Sequence, residues 1–241
     1  MRKDRKIKIL SIVALVLAIT GMSLGFAAFS STLTISSSAT VTPNSNDFKV
    51  AVYGLKSLSG FDIEEVFTSG PDMTQWSSDY ASALDSYNTG VSATNAVIDN
   101  TNFTVSNMSA EFTEPSQSIG YVFLIKNEGK YGTYISIPQY LKDMYLSGEH
   151  MGICTAGEGA TEELVQAACE GVFGQIVAVY SSDGTDISNK LVSSSQGDHL
   201  IDVGDYVVVI YSIGYEGETR ADGPFSVKFE DFKITFSTAQ S

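Results

Sequence analysis

Groups that carry chemistry are scarce in this chain. It has two histidines, His150 and His199, in unrelated segments, and two cysteines, Cys154 and Cys169. There is no His-Glu-x-x-His motif, no Gly-x-Ser-x-Gly elbow and no phosphate-cradling glycine loop after a strand. The familiar zinc proteases, serine hydrolases and nucleotide binders are therefore excluded. His199 sits in Asp198-His199-Leu200-Ile201-Asp202, where a surface histidine at the start of a strand is a simpler reading than half of a catalytic dyad. The sequence offers no catalytic residue and no cofactor-binding or metal motif.

Positive charge is scarce too. Fourteen Lys and Arg stand against 28 Asp and Glu, a formal net charge of -14. Five of those bases (Arg2, Lys3, Arg5, Lys6, Lys8) and one acid, Asp4, lie in the first eight positions. Beyond Ala27 the balance is thus 9 against 27. Such a surface repels nucleic acid and anionic lipid headgroups and suits a solvated, exported protein. Calcium is the only ion with candidate ligands, at Asp183-Gly184-Thr185-Asp186, at Asp202 with Asp205, and at Glu216, Glu218 and Asp222. None of these follows the Asp-x-Asp-x-Asp-Gly pattern with its distal Glu, and ordinary turns use Asp and Gly as well.

With only two cysteines, the simplest expectation is one Cys154–Cys169 disulfide in an oxidising compartment. Closing a loop of about 15 residues stabilises by roughly 3 kcal/mol in the chain-entropy view. Two free buried thiols are the alternative. A metal site would lack a nearby His, and the spacing is not that of a redox Cys-x-x-Cys.

What is present begins with the basic N-terminus, followed by an uncharged, mostly apolar run from Ile9 to Phe29. Charges that stay in the cytoplasm ahead of an apolar run that enters the bilayer are the signature of export. Gly25 and Ala27 are small residues at the -3 and -1 positions of a signal-peptidase site, which places cleavage between Ala27 and Ala28. A retained anchor helix is the alternative, because about 20 apolar residues span a bilayer. Residues 1–27 are then a signal peptide or anchor, and 28–241 one extracellular or cell-surface domain that meets the membrane only through the N-terminal segment.

Most of that domain alternates like β-strand. Leu33, Ile35, Ala39 and Val41 alternate with Ser and Thr, and after a turn at Pro43–Asp47 so do Phe48, Val50 and Val52. Ile119 to Ile125 is strongly apolar, and a turn at Asn127–Gly132 continues it as a meander through Tyr134, Ile135 and Ile137. Further strands are expected at Gln175–Tyr180, His199–Asp202, Tyr206–Ile213 and Phe225–Phe236, the last shifting phase near Glu230-Asp231. One short helix is expected at Thr161–Cys169, capped by Thr161 and ended by Gly171. Strands in this excess, with no βαβ rhythm, predict an all-β antiparallel sandwich. Residues 54–102, rich in Ser, Asp, Asn, Thr and Gly, read as an insertion with a short helix over Asp79–Tyr87. Their Trp76, Tyr80 and Tyr87 would suit a carbohydrate or protein partner.

Several of these segments together resemble the TasA/camelysin family of exported bacterial matrix proteins. They are Gly25-Phe26-Ala27-Ala28-Phe29-Ser30 followed by a β-forming stretch, Phe112-Thr113-Glu114-Pro115-Ser116 leading into Tyr121 to Asn127-Glu128-Gly129, Asp202 to Tyr211, and the closing strand Asp231 to Ala239. The resemblance implies a dedicated signal peptidase, a jelly-roll or Ig-like sandwich, and a matrix or surface subunit that self-associates into fibres, with no catalysis. It further implies that Ala28–Thr42 can complete a neighbour's sheet. An ordinary first strand in its own sheet is the alternative. The Cys154–Cys169 loop and the 54–102 region depart from the family pattern. Camelysin's classification as a metalloprotease is not carried over, for want of a zinc motif. Two other readings are a membrane-anchored binding module that recognises a carbohydrate or protein, and an exported hydrolase with an unrecognised carboxylate pair.

Overall fold

The computed structural model describes residues 49–84, 91–136, 154–188, 199–216, 220–229 and 231–238. The segment expected to be a signal or anchor, the expected Ala27/Ala28 junction and the Ala28–Thr42 stretch lie outside these residues.

The chain enters through β1 (Val50–Leu55), then forms a helix, α1 (Ile63–Ser69), and a 3-10 turn at Met73–Gln75. Short strands follow: β2 (Trp76–Ser77), β3 (Tyr80–Ala81), β4 (Ser92–Ala93), β5 (Ala96–Asp99), β6 (Thr104–Ser106) and β7 (Ser109–Phe112). The long strand β8 (Ser118–Asn127) precedes β9 (Thr133–Ser136) and β10 (Cys154–Ala156). Helix α2 (Glu162–Cys169) leads to β11 (Val172–Ser181), β12 (His199–Ile201) and β13 (Tyr206–Tyr215). The chain closes with β14 (Phe225–Lys228), β15 (Phe232–Lys233) and β16 (Thr235–Thr238).

These strands form an antiparallel β-sandwich. A five-stranded sheet has the order β11-β13-β8-β1-β2, and three smaller sheets run β10-β14-β7-β4, β12-β9-β16 and β15-β6-β5-β3. The main core draws on all four: Ile119, Tyr121, Phe123 and Ile125 of β8 meet Phe112, Phe225, Ile135 and Phe232 from the smaller sheets. The opposite face of the large sheet is covered as well, where Val122, Leu124 and Val208 pack with Val66 of α1, Trp76 and Leu84. Burial on both faces is why β8 and β13 read as nearly continuous apolar runs instead of alternating ones.

Three sequence expectations are corrected. No hairpin joins β8 to β9: β8 pairs with β1 and β13, while β9 pairs with β12 and β16 in another sheet. The Phe225–Phe236 run is three strands in three sheets. Its phase shift marks the first change of sheet, and Ile234, whose N–H donates to Phe103 O (2.9 Å), marks the second. Glu230 lies outside the described residues. Within the Asp79–Tyr87 stretch, Tyr80 and Ala81 are strand, paired with Val97 and Ala96, so long-range pairing overrides the local helical spacing.

Helix α2 forms where expected, but Thr161 makes no side-chain cap to it. Its hydroxyl instead donates to Asp222 Oδ2, and its N–H donates to Asp222 Oδ1 (2.7 Å). Helix α1 carries little sequence signal, for it spans only seven residues and buries one side chain, Val66. Asp62 starts it by accepting the Glu64 N–H at 2.9 Å. Residues 54–102 are woven into the core through Ala81, Ala96 and Ile98.

The Pro115-Ser116 turn holds Ser116 at φ 74°, where a Cβ is strained, while its N–H donates to Tyr215 O at 2.7 Å. Ser116→Gly relieves the strain and loses part of the gain to chain entropy. We expect a net stabilisation of about 0.5–1 kcal/mol, read as a higher urea midpoint. An unchanged or lower midpoint would contradict this account.

Candidate functional site

Of the residues singled out in the sequence, one set comes together covalently. Cys154 on β10 and Cys169 at the end of α2 form a disulfide, with Cα atoms 6.3 Å apart. Cys169 is 1% exposed and Cys154 is half-buried. The bridge holds α2 against the edge strand of the β10-β14-β7-β4 sheet. Around it, Gly157 N donates to Pro224 O (2.8 Å), and Thr161 bonds Asp222 at the other end of the same strip. Asp222 is held below the usual carboxylate range, first by the Thr161 hydroxyl and then by its N–H.

The other acidic clusters do not converge. Asp183 accepts from Ser181 Oγ (2.5 Å) and Thr185 N (3.0 Å), and Asp186 from Ser188 Oγ (2.5 Å) and N (2.9 Å). Each carboxylate thus serves its own turn. Asp202 and Asp205 are exposed in the β12–β13 turn, with Asp205 N donating to Asp202 O at 3.0 Å. Glu216 is exposed, and Glu218 lies outside the described residues, as do His150 and Tyr87. Among the described residues no three His, Cys, Asp or Glu side chains gather as a metal site would require. His199 sits half-buried in β12 and pairs with Ile135.

Hydrogen bonds from Ser181 and then Thr185 bring the Asp183 carboxyl down to about 2, and Asp99 and Asp186 are lowered for the same kind of reason. An unfolded chain titrates these groups near pH 4, so their contribution is complete above that and is lost as pH falls towards 2. The thermal midpoint is therefore expected to drop between pH 4 and 2. Carboxyl chemical shifts should place the Asp183 midpoint near 2, and a midpoint close to 4 would contradict the turn geometry.

Trp76 does not belong to an exposed recognition surface. It is 3% exposed, its ring lies edge-on to Phe61 at 5.9 Å, and α1 folds over the cluster it occupies. Among the described residues its Nε1 has no hydrogen-bond partner. Tyr80 is half-buried on β3.

Two polar clusters escaped the sequence reading. Asn127, fully buried at the end of β8, donates to Tyr131 O (2.8 Å) and Ile201 O (2.9 Å) and accepts from Gly129 N (3.0 Å). That one amide ties the 127–132 loop to the β12–β13 turn. Beside it, Glu128 accepts from the Tyr53 hydroxyl and pairs with Lys49, both at 2.6 Å. Burial, then the Glu128 contact, pushes the Tyr53 phenol up to about 12. Burial would raise Glu128, but Lys49 and Tyr53 outweigh it and hold the carboxyl below its ordinary range.

Fold and site together define an acidic antiparallel β-sandwich locked by one disulfide. Comparison with protein-family models, curated proteins and solved structures finds no match to the chain.

Proposed function

We propose that this chain is an exported structural subunit of an extracellular matrix or surface fibre that associates with copies of itself and does no catalysis. The observation that carries the reading is the state of β1. One of its edges pairs with β8. On the other, β2 pairs at Gly54 and Leu55, while the Asn100 amide takes the place of a strand at Val52. Its Oδ1 accepts from Val52 N (2.7 Å) and its Nδ2 donates to Val52 O (2.9 Å). Described residues thus fill this edge of β1 at Val52–Leu55, and the reading assigns the alternating segment Ala28–Thr42 to a neighbour's sheet.

Edge design supports the same reading. Among the described residues every edge strand except β11 has four residues or fewer, and β11 carries a bulge between Ile176 and Ala178. Short and bulged edges suppress indiscriminate pairing, so ordered assembly calls for a dedicated segment. The disulfide suits an oxidising compartment.

The test is the N-terminal residue and assembly state of the native protein, compared with a variant lacking residues 28–42. A start at Ala28 in an assembled species, with the variant folded but monomeric, is expected. A start at Met1, or assembly that survives the deletion, would sink the proposal. The first of those results would favour the anchored binding module.

A further inference from the structure

Three of the seven large apolar side chains exposed among the described residues lie together at one end of the sandwich: Tyr131 (55% exposed), Leu200 (37%) and Val203 (54%). Ile201 is buried, so strand alternation turns its neighbour Leu200 to solvent. Asp205 N donates to Asp202 O with Gly204 at φ 85°, which makes Val203 the tip of a tight turn. The Asn127 amide holds Tyr131 O and Ile201 O at once and so sets the two loops side by side. A Cβ at Gly132 would stand 2.9 Å from Leu200 Cδ1, so that leucine lies over the residue next to Tyr131. Apolar residues scattered singly over a surface need no explanation, but three on two clamped loops form a patch.

What the patch faces follows from where the chain enters the domain. Val50 of β1 pairs with Asn127, and Glu128 N donates to Lys49 O at 2.6 Å. The preceding segment therefore arrives at this end, and only residues 30–48 separate Lys49 from the apolar run Ile9–Phe29. Those 19 residues reach about 65 Å at most when fully extended. Charge at this end also differs from the acidic remainder, since Lys49, Lys126 and Lys130 stand against Glu128, Asp202 and Asp205. A charge-balanced rim with lysine stems and a tyrosine suits the headgroup layer of a zwitterionic bilayer.

We infer that this end of the sandwich docks on the lipid bilayer that receives the N-terminal apolar run, with Tyr131, Leu200 and Val203 seated among zwitterionic headgroups. The contact belongs to the tethered chain, a leader before its cut or an anchor that is kept, and stands apart from the fibre reading. It adds a second membrane contact to the N-terminal segment. Three apolar side chains alone hold a bilayer weakly, and the tether makes the contact persist by supplying a high effective concentration.

The experiment places the full-length chain in phosphatidylcholine vesicles and reads quenching of tryptophan fluorescence by brominated acyl chains. Tyr131→Trp puts a reporter in the patch. Leu58→Trp puts another in the exposed loop beyond the far end of β1, roughly 15–20 Å away. Trp76 pairs with Leu55 at that far end and gives every sample the same background. The Tyr131→Trp reporter is expected to lose at least about half of its added signal, and the Leu58→Trp reporter little. Adding Leu200→Ser and Val203→Ser, both at exposed positions, should restore the lost signal. Equal quenching of the two reporters, or quenching that survives the two serines, would overturn the inference. Flotation with the vesicles separates the remaining failures. A chain that floats unquenched overturns docking alone, and one that does not float overturns the membrane reading of Ile9–Phe29 as well.

Discussion

Asn127→Leu is expected to destabilise the fold by about 3–5 kcal/mol and to lower the thermal midpoint by roughly 10–15 °C. The leucine is of similar size, so the cost is not one of volume. It comes from leaving the carbonyls of Tyr131 and Ile201 and the N–H of Gly129 without partners at a fully buried position. An unmet buried polar group costs about 1–3 kcal/mol, and here one side chain serves three. The backbone of Asn127 is committed too, since its N–H donates to Asp205 O and its carbonyl accepts from Gly204, both at 2.9 Å. Asn127→Asp keeps the Gly129 contact but turns a buried carboxylate towards both carbonyl oxygens, so at neutral pH it should cost at least as much as Leu. Chemical denaturation followed by near-ultraviolet dichroism measures both. A loss below about 1 kcal/mol for Leu would mean that the carbonyls find other partners, and the corner would lose its assigned role.

Gly54→Ala is the second large effect, and its sign reverses the usual benefit of replacing glycine in a strand. A Cβ at residue 54 would stand 2.3 Å from Ala81 Cβ, 2.4 Å from Ala81 Cα and 2.5 Å from Tyr80 O. Two of those atoms are backbone, so no rotamer change relieves the clash and β1 and β3 must separate. A loss of about 3 kcal/mol or more is expected, at the upper end of overpacking costs. The companion Ala81→Gly removes only the Cβ contact, so the double variant should recover little. A Gly54→Ala protein as stable as wild type in denaturant would show that the two strands do not approach as described.

The candidate site was legible only in part. The disulfide could be anticipated by counting, since two cysteines in a chain whose N-terminus reads as an export signal have few other uses, and α2 announced itself through a run of helix formers that ends at Gly171. The sequence presents Asp222 only as one of an acidic group with Glu216 and Glu218. Its partner, Thr161, is 61 positions away, and no local pattern links them. Trp76 and its neighbours looked like a polar insertion that offered aromatics to solvent, because Ser, Asp and Asn dominate the composition there. The tertiary structure instead folds α1 over the tryptophan and buries it.

What the amino-acid order determined by itself is local: β8 and β13 as strands, the excess of strand over helix, the acidic surface and the single covalent link. Side-chain periodicity reports which faces of a segment are buried, and it does so within a few residues. Which strands neighbour one another was decided only in three dimensions. The closing run became β14, β15 and β16 in three different sheets, β9 left the company of β8, and Asn100 took a strand's place beside Val52. Those choices depend on hydrogen bonds and packing between residues far apart in the chain. Their free energy exists only once the sheets have met.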